Sequence, residues 1–219
     1  MTPQEKPFLM RVLDSYMTPP WNVLDVARLT VCLQSTSQDV RYFTLKRKNV
    51  YGYTVFHYAA YWGHTDIINC LVNFVSDEQI SKLLLIQNYL DNTALHCAAS
   101  LGHTETIKSV LGYLSEEERF ELLRKQNHNG DTSIHCAAFF GHLPAIQQML
   151  NFLPPGKQIE ILEVQNIDKK TAFELAVEED QTVTAGHMEE CKISAEWTVA
   201  EQDDCGKFFG NLGFLSLFY

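Results

Sequence analysis

No stretch of the sequence approaches the roughly 18 consecutive apolar residues that a membrane-spanning helix requires, so membrane insertion is not expected. The first residues, Met1 to Arg11, lack the apolar core of a signal peptide. Positive charge is scarce: 17 Lys and Arg stand against 27 Asp and Glu, a formal net charge of −10. That balance argues against nucleic acid or an anionic membrane surface as partner. The deficit is uneven, because residues 171–205 carry ten acidic side chains and a single basic one, Lys192. The six cysteines form no CxxC pair, and several fall at apolar positions of helical patterns, where a reduced thiol acts as a small hydrophobe. A reducing, cytoplasmic location fits that usage.

Catalytic signatures are missing as well. The sequence contains no Gly-rich phosphate loop, no nucleophile–base arrangement and no paired-acid motif, so neither enzymatic activity nor a cofactor is expected. An apolar share of 46% is nonetheless enough for a sizeable folded core.

What is present is a repeat. Thr54-Val-Phe-His57-Tyr-Ala-Ala60 is echoed by Thr93-Ala-Leu-His96-Cys-Ala-Ala99, returns as Thr132-Ser-Ile-His135-Cys-Ala-Ala138, and decays into Thr171-Ala-Phe-Glu174-Leu-Ala-Val177. The four threonines are each 39 residues apart, and Gly63-His64, Gly102-His103 and Gly141-His142 keep the same step, as do Asn49, Asn88, Asn127 and Asn166. The threonine suits a helix N-cap. The alanine pair leaves a helix face thin enough for close packing. The glycine suits the left-handed residue that ends a helix. A second helix follows, with apolar residues at helical spacing: Ile68, Leu71, Val72 and Val75, then Ile107, Val110, Leu111 and Leu114, then Ile146, Met149, Leu150 and Leu153. A third, shorter helix is expected near Glu78, Glu117 and Gly156. Ser76 with Gln79 and Ser115 with Glu118 read as capping boxes, and Pro154-Pro155 as a helix start.

The string Thr-x-x-His-x-Ala-Ala-x-x-Gly-His resembles the ankyrin repeat, whose usual length is about 33 residues. The resemblance spans about residues 47–180 and implies an all-α ankyrin-repeat solenoid in which a β-turn finger precedes two antiparallel helices. Here the unit carries six additional residues, read as the extra short helix. Residues 1–46 are expected to form a degenerate helical N-terminal capping repeat, because Leu29, Cys32 and Leu33 keep the second-helix pattern and Ser37 is in register with Ser76. Residues 47–180 form the array of three full repeats and a partial fourth. There Glu174 replaces the histidine and Asp180-Gln181 replaces Gly-His. Residues 181–219 read as a solvated acidic tail without an apolar frame, followed by an uncharged apolar end, 208–219, open to three readings: a partner motif, a self-docked cap or the scar of a truncated or mis-predicted gene.

The histidines raise the question of metal binding. His57 and His64 are seven residues apart, about 10 Å along a helix, whereas donor atoms on one zinc lie within about 4 Å of each other. The resemblance implies a structural role instead, with Thr54, His57, Thr93, His96, Thr132 and His135 tying neighbouring fingers together through backbone hydrogen bonds. His187 with Cys191 and Cys205 is a weaker metal candidate still, and a Cys97–Cys136 disulfide is not expected at one repeat's separation.

By the same resemblance, a partner protein meets the finger tips and the residues between Ala-Ala and Gly-His, on the concave side. The first repeat supplies Val50, Tyr51, Tyr53, Tyr61 and Trp62. The second supplies Tyr89, Leu90, Asn92, Ser100 and Leu101, and the third His128, Asn129, Asp131, Phe139 and Phe140. Seven of these fifteen are aromatic, the type that concentrates binding energy at interfaces. The finger tyrosines are expected to be solvent-accessible, and Trp62, Leu101 and Phe140 are open to a second reading as helix-packing residues. The resulting expectation is a non-catalytic adaptor or scaffold, monomeric by itself. The alternative is a regulatory protein acting through its C-terminal tail.

Overall fold

A computed structural model describes the backbone of residues 26–212. The only regular elements among the described residues are helices, joined by turns, with no strand among them. Helices α1 (Val26–Gln34) and α2 (Gln38–Leu45) open the described region. Three complete units follow: α3 (Val55–Tyr61), α4 (Thr65–Val72) and α5 (Asp77–Leu84); α6 (Ala94–Ser100), α7 (Thr104–Gly112) and α8 (Glu116–Arg124); and α9 (Ser133–Phe139), α10 (Leu143–Leu150) and α11 (Pro155–Leu162). The array closes with α12 (Ala172–Glu178) and the 31-residue α13 (Thr182–Leu212).

The first helix of each unit starts where the threonine predicts. The Thr54 N–H donates to His57 Nδ1 at 3.1 Å, and the same geometry recurs at Thr93–His96 and Thr132–His135 (3.2 Å each). This is a capping box with histidine in the place of the usual Glu or Gln. Ala60, Ala98, Ala99, Ala137 and Ala138 are fully buried, so first helices of adjacent units pack closely. Ile68, Leu71, Ile107, Val110, Leu111, Ile146 and Met149 fill the layer beneath. At about 1.5–3 kcal/mol for each fully buried aliphatic side chain, this layer dominates the stability of the stack.

Except in the first complete unit, where Ile80 stands at this position, a side-chain brace holds the last helix of the unit back onto the one before it. Arg41 Nε donates to the Leu33 carbonyl at 2.7 Å, Arg119 Nε to Leu111 at 2.8 Å and Gln158 Nε2 to Leu150 at 3.1 Å, each reaching eight residues back. The two guanidinium groups also lie over the rings of Phe74 and Phe152. Leu83, Leu84, Leu122, Leu123, Ile161 and Leu162 turn inward from these helices, as their spacing predicts.

The C-terminal part differs from expectation. Residues 182–196 are not a solvated acidic run without an apolar frame. They form the N-terminal half of α13, with Thr184, Ala185, Met188 and Ala195 buried against α11 and α12 and with Lys192 Nζ 3.1 Å from Glu163 Oε1. Glu189, Glu190 and Glu196 are exposed. Ala185 and Met188 stand 39 residues after Ile146 and Met149, so α13 begins as the second helix of a fourth repeat. The replaced Gly-His pair keeps its geometry too. Asp180 takes the left-handed backbone (φ 58°) of Gly63, Gly102 and Gly141, and the space above those glycines is filled by His103, His142 and Gln181 in turn. Residues 1–25 of the expected N-terminal cap and residues 213–219 of the apolar end lie outside the described residues.

Candidate protein-binding face

Each finger is braced by the asparagine that recurs with the repeat. Asn49 Oδ1 accepts from the N–H groups of Tyr51 and Tyr53 (2.9 and 3.0 Å), Asn88 from Leu90 and Asn92, Asn127 from Asn129 and Asp131, and Asn166 from Asp168 and Lys170. The turn residue between them has positive φ in all four fingers: Gly52, Asp91, Gly130 and Lys169. Adjacent fingers are joined by main-chain bonds, Tyr89 N–H to Tyr51 O (3.4 Å), His128 N–H to Leu90 O (3.0 Å) and Ile167 N–H to Asn129 O (3.1 Å).

The buried histidines complete this ladder. His57 Nε2 is 2.8 Å from the Asn92 carbonyl, His96 Nε2 is 3.1 Å from that of Asp131, and His135 Nε2 is 3.1 Å from that of Lys170. Because a backbone N–H donates to Nδ1, the proton resides on Nε2, which donates to the next finger. The ring is therefore neutral. Burial pushes the pKa of His57 and His96 from 6.5 down to about 4 and also lowers that of His135. A second set points the other way, His103 Nε2 to the Tyr61 carbonyl and His142 Nε2 to that of Ser100. Among the described residues no three His, Cys, Asp or Glu side chains converge as metal ligands. His187 Nε2 instead receives the Gln147 amide at 3.0 Å and lies 3.3 Å from Cys191 Sγ, while the side chain of Cys205 lies outside the described residues. Cys97 and Cys136 are free thiols, both pushed up to about 12 by burial.

On this scaffold the candidate binding residues divide into two groups. Tyr51 (67%), Tyr89 (66%), Leu90 and Val50 protrude from the first two fingers, and His128 and Asn129 are exposed on the third. At the ends of α3, α6 and α9, Tyr61, Trp62, Leu101, Phe139 and Phe140 are exposed, Trp62 by 45% and Phe140 by 53%. The aromatic pairs within single repeats meet edge to face, Tyr61–Trp62 at 5.2 Å and Phe139–Phe140 at 4.9 Å.

The other group has its polar atoms engaged inside the array. Asn92 Oδ1 accepts from Asn127 Nδ2 (3.0 Å) and Asp131 Oδ1 from Asn166 Nδ2 (2.9 Å), while their carbonyls receive the histidines. Tyr53 is not an accessible finger-tip residue as expected. It occupies the same repeat position as Asn92 and Asp131, is half-buried, and packs against Tyr58 (5.3 Å) and His57 (5.6 Å). Burial holds its hydroxyl above the ordinary pKa of 10.0. Ile167, 65% exposed on the fourth finger, was missed, although it stands 39 residues after His128 and the register marks it.

Two sequence-family models agree with this architecture. The model described as ankyrin repeats in three copies matches residues 29–120, and the one for many copies matches residues 95–150. The chain belongs to the ankyrin-repeat family. Ankyrin repeats are generally protein–protein interaction modules and typically non-enzymatic. A search of curated proteins returned no match. A cleft of about 490 Å³ at the C-terminal end of the array, floored by Leu162, Phe173 and Met188, lies apart from the finger face.

Proposed function

We propose that this ankyrin-repeat chain is a non-catalytic adaptor or scaffold that binds a partner protein through its fingers and the C-terminal ends of its first helices. One observation carries the reading: Tyr51, Tyr61, Trp62, Tyr89, Leu90, Leu101, Phe139 and Phe140 are all exposed, on the fingers of the first two repeats and at the first-helix ends of all three. Large apolar side chains gathered on one face are costly to leave in water and are characteristic of interaction sites. The scaffold beneath them is fixed by buried histidines and finger-to-finger bonds, so binding requires little ordering of the chain. The packing of α13 on the array favours this face over the tail as the recognition element, since Met188 and Ala195 are already occupied. The protein acts as a monomer in the cytoplasm, consistent with the free cysteines among its described residues.

The test is alanine replacement of Tyr61 and Phe140 with binding measured by calorimetry against a partner isolated on the full chain. Loss of about thirtyfold in affinity per hot-spot residue, with an unchanged melting temperature, supports the reading. Undiminished affinity in both variants refutes it.

A further inference from the structure

Resting on that face as the binding site, we propose that its partner is an electrically polarised segment. It is apolar in the middle, acidic at the end that meets the first finger and basic at the end that meets the fourth repeat.

The argument comes from following single positions along the 39-residue step. Tyr61-Trp62 becomes Ser100-Leu101, then Phe139-Phe140, and then Glu178-Glu179, followed by Asp180. The apolar ladder thus ends in carboxylates at an equivalent place, and all three acidic residues are exposed. Glu178 is ion-paired with Lys170, leaving Glu179 and Asp180 at the rim. The opposite end carries the other sign. Gln87 and Gln126 each clamp their own finger and the next by donating to two carbonyls, those of Asp91 and Gln126, and those of Gly130 and Gln165. In the first repeat this position is Lys48, whose ammonium lies 5.8 Å from the centroid of the exposed Tyr89 ring. Lys46, Arg47 and Lys48 lead directly into the first finger, and all three are exposed; Arg124 and Lys125, which stand at the register of Lys46 and Arg47 in the third repeat, are ion-paired with Glu160 and Glu121.

Three repeat steps separate the two ends, roughly 30 Å at one helix-packing distance per step. The screening length at physiological salt is about 8 Å, so each end of the face reads only the charge nearest to it. The polarity therefore sets the direction in which a segment lies on the aromatic middle and rejects the reverse direction by like-charge contact. The net charge of −10 by itself would favour a uniformly basic segment, which makes the acidic end the distinguishing feature.

The experiment is a selection of random 16-residue displayed peptides on the immobilised full chain, followed by titration of the best synthetic peptide against variants. The expected binders carry an aromatic or aliphatic middle with Asp or Glu on one side and Lys or Arg on the other. Lys48→Glu should weaken the best peptide about threefold, the size of an exposed ion pair, and replacing the peptide's acidic end by lysines should restore it. Glu179→Lys should do the same at the basic end. Uniformly basic binders, or binders indifferent to both charge reversals yet lost on Tyr61→Ala, overturn the polarity and leave the face intact. Binders that survive the Tyr61→Ala/Phe140→Ala double variant, or no enrichment at all, refute the face itself. Self-association of the chain that competes with the peptides assigns the face to a second copy and also overturns the proposal.

Discussion

Mild acid should unfold this protein through three buried histidines, well before its carboxylates titrate. His57 and His96 are 0% and 1% exposed, and each is neutral because Nδ1 accepts a backbone N–H while Nε2 donates to the next finger. A pKa of about 4 in the folded protein against 6.5 in an unfolded chain means that the fold favours the unprotonated ring. The unfolded state then binds more protons, so stability is complete above pH 6.5 and declines as pH falls from there toward 4. Each histidine accounts for on the order of 3 kcal/mol across that window, and His135 adds to the same side. Two such residues give on the order of 6 kcal/mol, comparable with the whole stability of many domains. The assay is urea unfolding followed by circular dichroism at pH 7.5, 6.0, 5.5 and 5.0. The unfolding free energy should fall below pH 6 with a slope of about 2.7 kcal/mol per pH unit from His57 and His96 together, and steeper where His135 contributes. His96→Gln retains a cap acceptor but cannot be protonated, and it should remove one proton from that slope. An acidic chain relieved of self-repulsion would instead grow more stable as it approaches its isoelectric point of about 5.2, so a flat or rising profile refutes the reasoning.

At pH 7.5, His96→Ala should cost about 1–3 kcal/mol in urea unfolding through the orphaned Thr93 N–H and Asp131 carbonyl, with no change on adding a chelator. Tyr53→Ala should lower the unfolding free energy, whereas Tyr51→Ala and Tyr89→Ala should leave it within about 0.5 kcal/mol of wild type, and equal losses in all three would contradict the packing described. Gly102→Ala should destabilise measurably, because the backbone there is left-handed (φ 68°) and a Cβ would lie 2.8 Å from His142 Nδ1. Asp91→Gly should raise stability by up to about 1 kcal/mol by relieving a non-glycine residue at φ 57°. Met188→Ala should cost about 2–4 kcal/mol if α13 is an integral fourth-repeat helix, and no cost would return residues 182–196 to the status of a tail.

The sequence by itself determined the repeat length, the three-helix unit and the placement of every first helix, because each depends on short-range chemistry repeated in register. Threonine caps, histidine three residues on, an alanine pair and a left-handed glycine leave one local solution, and copying it every 39 residues fixes the architecture. The family match over residues 29–150 follows from the same positions. Tertiary structure alone decided the matters that depend on what a neighbouring repeat supplies. Tyr53 and Tyr51 are both finger tyrosines, yet one packs on Tyr58 and the other faces water, since Gly52 between them takes a left-handed backbone (φ 80°) that turns the chain there. Asn92 and Asp131 look like exposed polar contacts until the asparagine of the following finger takes their oxygens. The acidic stretch after residue 181 hid Thr184, Ala185, Met188 and Ala195 among glutamates. Those small, widely spaced side chains give a weak periodic signal, and only the open end of α11 and α12, which must be covered to exclude water, shows where they are buried.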